Sequence, residues 1–582
     1  MTSQGWVVIA GPNAARRAEL AAAMVDRPDW RQCVFNGPAA VFTQSQCQYA
    51  TPPGTADAGV LGTVFTRHGT SYHQGTLEDA AWRNLCCGSI GQFFERCWGG
   101  FVALSSSAES LQVSRDPSAA MPCYYAHASG VVLVGSSIAH LIAAGLRKPT
   151  IAMDQLARSL FRADLSSQET AFVGVSELLP GDCLQIDRDG LHIRHVWSPW
   201  DHVAIDETIG FLRHAEQLRD AVENCVAAWG TTAHRTLVGV SGGLDSSIVA
   251  TCLASKTPRP VCVTVSTADA EGDERVHAHR ICDHLKLALQ EADYDLDDID
   301  IERPARPDLP RPTGRMIAQA YNAAVTRVAH GNGADAFFTG NGGDNVFAFS
   351  QSAGAIADRL LHDGPWIGAW QTARDICQLT GCSLIQAWRS ALRLAIGPHS
   401  YNWKPDRGFL HPDVLRKLDR EPLMHPWLDA PKGALPGKAA HIAALLRIQR
   451  HLEDTGQLSA VRVINPLMSQ PIIETCLAIP SWMWCRGGRN RSVARHAFRN
   501  VMPPSITDRV SKGGPSGFGT RIINTFHDRI MGRLLEGHLA AGGIVDRAAL
   551  ERRLRDDRPD WGTEQVRVLE LLEAEAWIDH WR

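Results

Sequence analysis

Seven residues, Ser241-Gly242-Gly243-Leu244-Asp245-Ser246-Ser247, stand between a short apolar run, Thr236-Leu237-Val238-Gly239-Val240, and the start of an apolar helix near Ser246. A buried strand that feeds a Gly-rich turn and then a helix commits this half of the chain to a parallel α/β sheet. Pro260 to Ser266 reads as a second buried strand. Residues 272 to 289 read as a helix with Ala278, Ile281, Cys282, Leu285 and Leu289 on one face. Another helix, 315 to 330, precedes the strand Ala336-Phe337-Phe338-Thr339 and a second Gly-rich loop, Gly340-Asn341-Gly342-Gly343-Asp344. Beyond residue 355 the pattern is mostly helical.

The first loop has the chemistry of an anion cradle. Gly242 and Gly243 let the backbone approach a ligand closely, the helix start offers unpaired N–H groups, and Ser246 and Ser247 add hydroxyls. Asp245 inside such a cradle would repel a phosphate unless a divalent cation lay between them, which points to Mg²⁺ bridging carboxylate and phosphate. The plainer alternative is a Gly-rich strand-to-helix turn capped by Ser and Asp. The loop lacks the GK[ST] ending of a Walker A motif.

The first 200 residues differ in pattern. Short apolar runs, including Gly5-Trp6-Val7-Val8-Ile9, Phe101-Val102-Ala103-Leu104, Gly130 to Val134 and Cys183 to Ile186, are broken by Gly, Pro, Ser and Asp. They read as strands of two packed sheets with attached helices such as 137 to 145. After the Trp197-Ser198-Pro199-Trp200 corner a helix over 208 to 229 leads into the parallel half, which places a boundary between 1–205 and 206–582. A chain of 582 residues has room for roughly two to four domains of ordinary size. The formal charge of −4 argues against bulk binding to nucleic acid or an anionic membrane. The 15 Cys form no CxxC, so no zinc ribbon is written here and reduced thiols are expected. Met1 to Gly11 lacks the pattern of a signal peptide and no apolar run approaches a membrane span, so a cytoplasmic protein is expected. Trp is frequent at 17, and Trp366, Trp370, Trp388, Trp403, Trp427, Trp482 and Trp484 all lie in the second half, where they either pack a helical core or line an apolar groove for a bulky or peptide ligand.

The loop SGGLDSS resembles the pyrophosphate-binding loop of the asparagine synthetase superfamily, whose members cleave ATP to AMP and pyrophosphate while adenylating a carboxylate. The second loop matches the one that carries another Mg²⁺-binding Asp, here Asp344. Asp273-Glu274 resembles the family's acidic pair at a helix start, where simple capping is the alternative. Arg462, Pro466-Leu467, Ile479-Pro480, Arg491, Arg495 and Arg509-Val510-Ser511-Lys512-Gly513-Gly514 follow the superfamily's order. The resemblance implies ATP contacts at Ser241, Gly242, Gly243, Leu244, Asp245, Ser246, Ser247, Ser266 and Gly340. It implies Mg²⁺ ligation by Asp245 and Asp344, and catalytic roles for Lys512 and Arg495. A lysine beside Mg²⁺ suits the negative charge that develops at the α-phosphate and at the acyl centre.

Gly99 to Leu104, Arg115-Asp116, Tyr124-Tyr125 and Gly135-Ser136-Ser137 resemble the amidotransferase-type N-terminal domain. The fold class implied is α/β, with an Ntn-hydrolase-like α+β sandwich followed by a PP-loop ATP pyrophosphatase domain with a parallel sheet and a helical C-terminal part. Glutamine-dependent members carry Cys after the initiator Met; this chain has Thr2, so the N-terminal domain is expected to be structural or partner-binding. Asn341 stands where β-lactam synthetase places a Tyr and asparagine synthetases a Glu, and Pro466-Leu467-Met468-Ser469 replaces the PFLD of asparagine synthetases. The stretches 465–474, 479–489 and 511–514 look like the lasso-peptide cyclases, which close a macrolactam between a peptide's N-terminal amine and an Asp or Glu side chain. The partners so implied are a precursor core peptide, a leader peptidase and a precursor-recognition protein, with neither nucleic acid nor membrane. The alternatives are a small-molecule amide synthetase and a non-catalytic nucleotide-binding scaffold.

Overall fold

A computed structural model describes residues 5–67, 77–269, 272–349, 351–453, 457–458, 461–510, 513–556 and 561–582. Its N-terminal part is built on period-2 alternation. One antiparallel sheet runs, edge to edge, through Val175–Glu177, Tyr124–Ala128, Val131–Gly135, Trp6–Ala10, Ala39–Gln44 and Trp30–Cys33. The other runs through Leu191–His195, Asp182–Ile186, Leu111–Arg115, Cys97–Ser106, Ala58–Thr66 and Tyr49–Ala50. Trp6, Val8 and Ala10 point between the sheets to meet Leu61, Val102, Leu104 and Leu184. Their neighbours Val7 and Ile9 point outward beneath Leu20, Met24 and Leu141 of the covering helices. Both faces are buried, which explains why these strands read as unbroken apolar runs. The expected sandwich is therefore present, with helices on one outer face and the parallel half on the other.

The second half holds a six-stranded sheet, with β1 (Thr236–Gly239), β2 (Val261–Ser266), β3 (Ala288–Asp293), β4 (Ala336–Phe338), β5 (Gln457–Leu458) and β6 (Val461–Ile464) in the order β3-β2-β1-β4-β6-β5. All pairs are parallel except the β5–β6 edge. Leu237 faces Val325 and Ala329 of helix Ala318–Asn332, while Val238 joins the core with Ile248 and Ala278 of helices Leu244–Leu253 and Arg275–Leu285. Helices thus cover both faces, and the strand order reverses between β1 and β4.

One expectation is corrected here. The helix read over 272–289 ends at Leu285; Lys286 adopts a left-handed conformation, φ 55°, and the chain turns into strand β3, so Leu289 lies in the sheet rather than on the helix face. The tryptophans divide: Trp403, Trp427 and Trp484 are buried, whereas Trp366 and Trp370 are exposed. All 15 Cys are free thiols. Among the described residues no helix is long and apolar enough to cross a membrane.

The two halves share one core. Trp229, near the end of helix Phe211–Gly230, meets Phe65 of the sandwich at 5.1 Å between ring centroids, and its indole N–H donates to Ser469 Oγ at 3.0 Å. Beside it Glu474 accepts two bonds from Arg67, 2.6 and 2.9 Å, and one from Trp197 Nε1 at 3.0 Å. Burial raises the Glu474 pKa, but the bond and charge of Arg67 together outweigh it and leave the carboxyl below its ordinary range. The pair's contribution is therefore whole above the ordinary glutamate pKa of about 4.3 and is lost as pH falls through the lower folded value. Glu474→Gln, which cannot titrate, is expected to flatten the acid limb of stability against pH below about pH 4.5, measured by chemical unfolding across the acid range. Trp229→Ala is expected to cost about 3–5 kcal/mol in the same assay.

Candidate active site

Both Gly-rich loops leave the carboxyl ends of β1 and β4, the two strands that flank the reversal of strand order. In open α/β sheets that crevice is where ligands are held. The first loop is drawn tight by its own hydroxyls. Ser241 N donates to Ser246 Oγ at 3.2 Å, Gly243 N donates to Ser241 Oγ at 3.3 Å, and Ser246 Oγ donates to Gly243 O at 3.3 Å. The first backbone bond of the helix runs from Ser247 N to Gly243 O, 3.2 Å. The amides ahead of it, Leu244 to Ser246, lie at the positive end of the helix dipole. Leu244 anchors the turn in the core. Ser247, expected to offer a hydroxyl to a ligand, is wholly buried, and its Oγ has no partner among the described residues.

Close approach explains the glycines. A Cβ on Gly242, whose φ is 67°, would overlap the backbone of His277, so the loop lies directly on the start of the neighbouring helix. A Cβ on Gly340 would overlap the Ser246 amide, and one on Gly343 would overlap the Asp245 carboxylate. Only bare backbone lets the second loop press against the first. The second loop is also tied down from behind: Thr339 Oγ1 donates to Asn465 Oδ1 at 2.5 Å, and Asn341 N donates to Thr339 Oγ1 at 3.1 Å.

The result is that Asp245 and Asp344 converge on one point. A single nitrogen, Arg491 Nη1, donates there to Asp245 Oδ1 and Oδ2, at 3.1 and 2.8 Å, and to Asp344 Oδ1. Arg491 is buried, its backbone is left-handed at φ 52°, and its guanidinium lies 5.3 Å from the Phe349 ring centroid. Arg495 fixes this geometry from below. Its Nε and Nη2 donate to the Asn490 carbonyl and side-chain oxygens, both at 2.8 Å, and its Nη1 donates to Thr507 O at 2.6 Å. Burial, then the charge of Arg491, lowers the Arg495 pKa to about 10. Arg495, expected among catalytic groups, is hydrogen-bonded here to Asn490 in the turn that carries Arg491.

A third side of the site comes from the C-terminal segment. Glu274 makes no capping bond to its own helix. It accepts instead from Arg509 Nη2 at 2.7 Å and from Gly513 N at 3.0 Å, while Arg509 Nη1 reaches Ser241 O at 3.2 Å. The segment containing Lys512 is thereby tied to the first loop; Ser511 and Lys512 themselves lie outside the described residues. Among the described residues Asp273 pairs only locally, with Arg275 at 2.8 Å. Ser266, at the end of β2, is buried and donates to Asp293 Oδ1 at 2.7 Å. Thr2 lies outside the described residues.

The donor set fits a divalent cation held between protein and phosphate. Two carboxylates already meet at a cationic centre, and among the described residues no third His, Cys, Asp or Glu completes a metal cage. That is the ligand count of Mg²⁺ bound by one or two carboxylates, with phosphate and water filling the remaining positions. Ser241, Ser246 and the amides at the helix start suit the phosphates themselves. Sequence reasoning noted Arg491, Glu274 and Arg509 without giving them these roles. The Arg491-to-Arg495 spacing of one helical turn was the available signal.

Comparison with known proteins gives the following. Residues 215–579 match the family described as Asparagine synthase. None of the curated proteins compared matches the chain. Among solved structures, glutamine phosphoribosylpyrophosphate amidotransferase from B. subtilis, complexed with ADP and GMP, is 11% identical at a TM-score of 0.23, over 52% of this chain and 83% of that one. An allosteric regulatory enzyme of purine biosynthesis is 10% identical at a TM-score of 0.22, over 50% of this chain and 80% of that one.

Removing Arg491 leaves two carboxylates facing each other. Arg491→Met is expected to destabilise the protein by about 3–5 kcal/mol, and millimolar Mg²⁺ is expected to restore much of the loss. Thermal unfolding with and without Mg²⁺ measures both. A variant as stable as the parent, or one indifferent to Mg²⁺, would contradict the convergence of charge described here.

Proposed function

We infer the chemistry from a premise that the match over residues 215–579 establishes: the chain belongs to the asparagine synthase family. It is an ATP-dependent enzyme of amide-bond formation. We propose that it closes a macrolactam in a lasso-type peptide after the leader has been removed, with residues 1–205 as a glutaminase-like sandwich without the catalytic Cys and 206–582 as the synthetase.

In this reading a side-chain carboxylate oxygen of an Asp or Glu in the core peptide attacks the α-phosphorus of ATP. The α–β phosphoanhydride breaks and pyrophosphate leaves. The peptide's own α-amine then attacks the acyl carbon, the C–N bond forms, AMP departs with the carboxylate oxygen, and the amine sheds a proton. Asp245 and Asp344 would hold Mg²⁺, which when bound would supply neutralisation of the phosphate charge. The Leu244 to Ser246 amides and the Ser241 and Ser246 hydroxyls bind the leaving pyrophosphate, and Gly340 and Ser266 border the nucleotide. Arg491, released from the carboxylates once their charge is met, is free to donate to phosphate. Lys512 stabilises the acyl transition state, and Arg495 keeps Asn490 and Arg491 in place. Holding both reactants in one folded peptide raises their effective concentration.

The observation that carries the general chemistry is the convergence of Asp245 and Asp344 at the crevice between β1 and β4. A large peptide substrate is supported by the apolar surface of helix Ile367–Thr380, where Trp366 is 70% and Ile367 87% exposed. The same helix presents Asp375 to the backbone N–H groups of Gly487 and Gly488, just ahead of Arg491. The leader peptidase and a precursor-recognition protein are the proposed partners.

AMP and pyrophosphate release is the test, with Mg-ATP alone, with aspartate plus ammonium, and with a leader-cleaved peptide. The reading expects peptide-dependent AMP and a peptide lighter by one water. Asp245→Asn should lower both by about 10²–10³-fold or more. AMP formed only with aspartate and ammonium would replace the peptide reading with a small-molecule amide synthetase.

A further inference from the structure

Away from the loops, two thiols stand in contact at the end of helix Ile367–Thr380. Gly381 stops the helix in a left-handed conformation, φ 71°, and its N–H donates to the Cys377 carbonyl at 2.8 Å. In such a stop the residue after the glycine folds back over the last helical turn and packs against it. Here that residue is Cys382, and its Sγ lies 3.9 Å from Cys377 Sγ. Any two apolar side chains would satisfy the stop; two cysteines add chemistry.

Both sulfurs belong to half-buried residues at the edge of a small apolar cluster with Ile376, Ala387 and Ala391. The third thiol of that cluster, Cys485, is buried, and burial pushes its pKa up to about 12. The two in contact differ. Burial, and then the neighbouring Cys382, raises the Cys377 pKa. Cys382 Sγ has Thr380 Oγ1 at 3.1 Å, and the same hydroxyl lies 2.7 Å from Ile376 O. Its one hydrogen can therefore turn from the carbonyl to the sulfur when Cys382 loses its proton. A hydrogen bond to the charged form favours the thiolate, and the thiolate is what attacks a disulfide. Bonding distance, about 2.05 Å, is reached when each sulfur swings about 1 Å toward the other.

We propose that Cys377 and Cys382 form a reversible dithiol–disulfide site that exchanges with small disulfides of the glutathione class. The Cys382 thiolate attacks one sulfur of the small disulfide, that S–S bond breaks, and a small thiolate leaves. The Cys377 thiolate then attacks Cys382 Sγ in the mixed disulfide, the protein S–S bond forms, and the second small thiolate leaves. The two protons given up by the cysteines end on the two small thiols, so the protein pair is oxidised and the small disulfide reduced. The bond staples a helix end on which the turn ahead of Arg491 rests. Gln378 packs so closely on Gly488 that an added Cβ there would lie 2.4 Å from its Cδ, and Asp375 accepts from the Gly487 and Gly488 N–H groups. The inference is independent of the reaction proposed above.

The experiment holds the full native chain in glutathione mixtures of rising oxidised share, traps the remaining thiols with N-ethylmaleimide in denaturant, and reads tryptic masses. Cleavage after Arg374 and Arg389 leaves both cysteines, and no other, in peptide 375–389. The expected result is that peptide unlabelled and lighter by two hydrogens. It should form at an oxidised share about 10-fold or more below that needed in concentrated urea, because the folded turn holds the sulfurs together. Cys377→Ser is expected to stop the exchange at a glutathione adduct on Cys382. Two labels on the peptide throughout, glutathione adducts without the internal bond, or a bond formed no more readily in the native chain than in urea would overturn the proposal.

Discussion

Two carboxylates brought to one point need a cation, and the architecture of the second half follows from that requirement. Asp245 and Asp344 ride on loops from β1 and β4, and nothing but bare glycine backbone at Gly340 and Gly343 allows the loops to touch. Like charges so placed, Asp245 buried and Asp344 half-buried, repel. In this structure a single guanidinium nitrogen neutralises them, and that guanidinium is itself held by a left-handed turn clamped by Arg495. In the proposed reaction Mg²⁺ would take this point and set Arg491 free to reach phosphates drawn to the helix start.

The sandwich has a physical reason to persist whatever its chemistry. The outer face of its second sheet is the floor on which helix Phe211–Gly230 rests, with Phe65, Trp98, Phe101 and Trp229 in one cluster. Near the other end of the interface, Phe172 packs 5.0 Å from Trp577 of the last helix. Deleting the N-terminal half would expose both surfaces to water, at a cost of order 25 cal/mol for each Å² of apolar area. Glu474 adds a buried ion pair at the same seam, so the helix that follows Asn465, and through Asn465 the second loop, is positioned from the sandwich side.

Much of this was legible in the residues because local and global signals agree. The strand-loop-helix around Asp245, the second loop at Asp344 and the switch from alternating strands to a parallel sheet each carry a short-range pattern. The helix end at Leu285 was not legible: Leu289 continues the helical period by chance, and only the left-handed Lys286 ends it. Arg491 was hidden for another reason. A lone arginine becomes a partner of both loops through long-range packing, which no periodicity reports. Glu274 was ambiguous because acidic residues at helix starts serve the dipole in most chains; its real partners are more than two hundred positions away. Ser247 shows the converse, a motif hydroxyl that the helix carries into the core.

The account stands on the exchange at Asp245 and Asp344, and the most direct measurement is a crystal structure of the full chain with Mg²⁺ and a non-hydrolysable ATP analogue. The account predicts one Mg²⁺ bound by both carboxylates and by phosphate oxygens, the triphosphate over the Leu244–Ser246 amides, and Arg491 turned toward the nucleotide. Arg491 still bridging the two carboxylates with nucleotide bound, or a triphosphate seated away from the β1 and β4 loops, would contradict it.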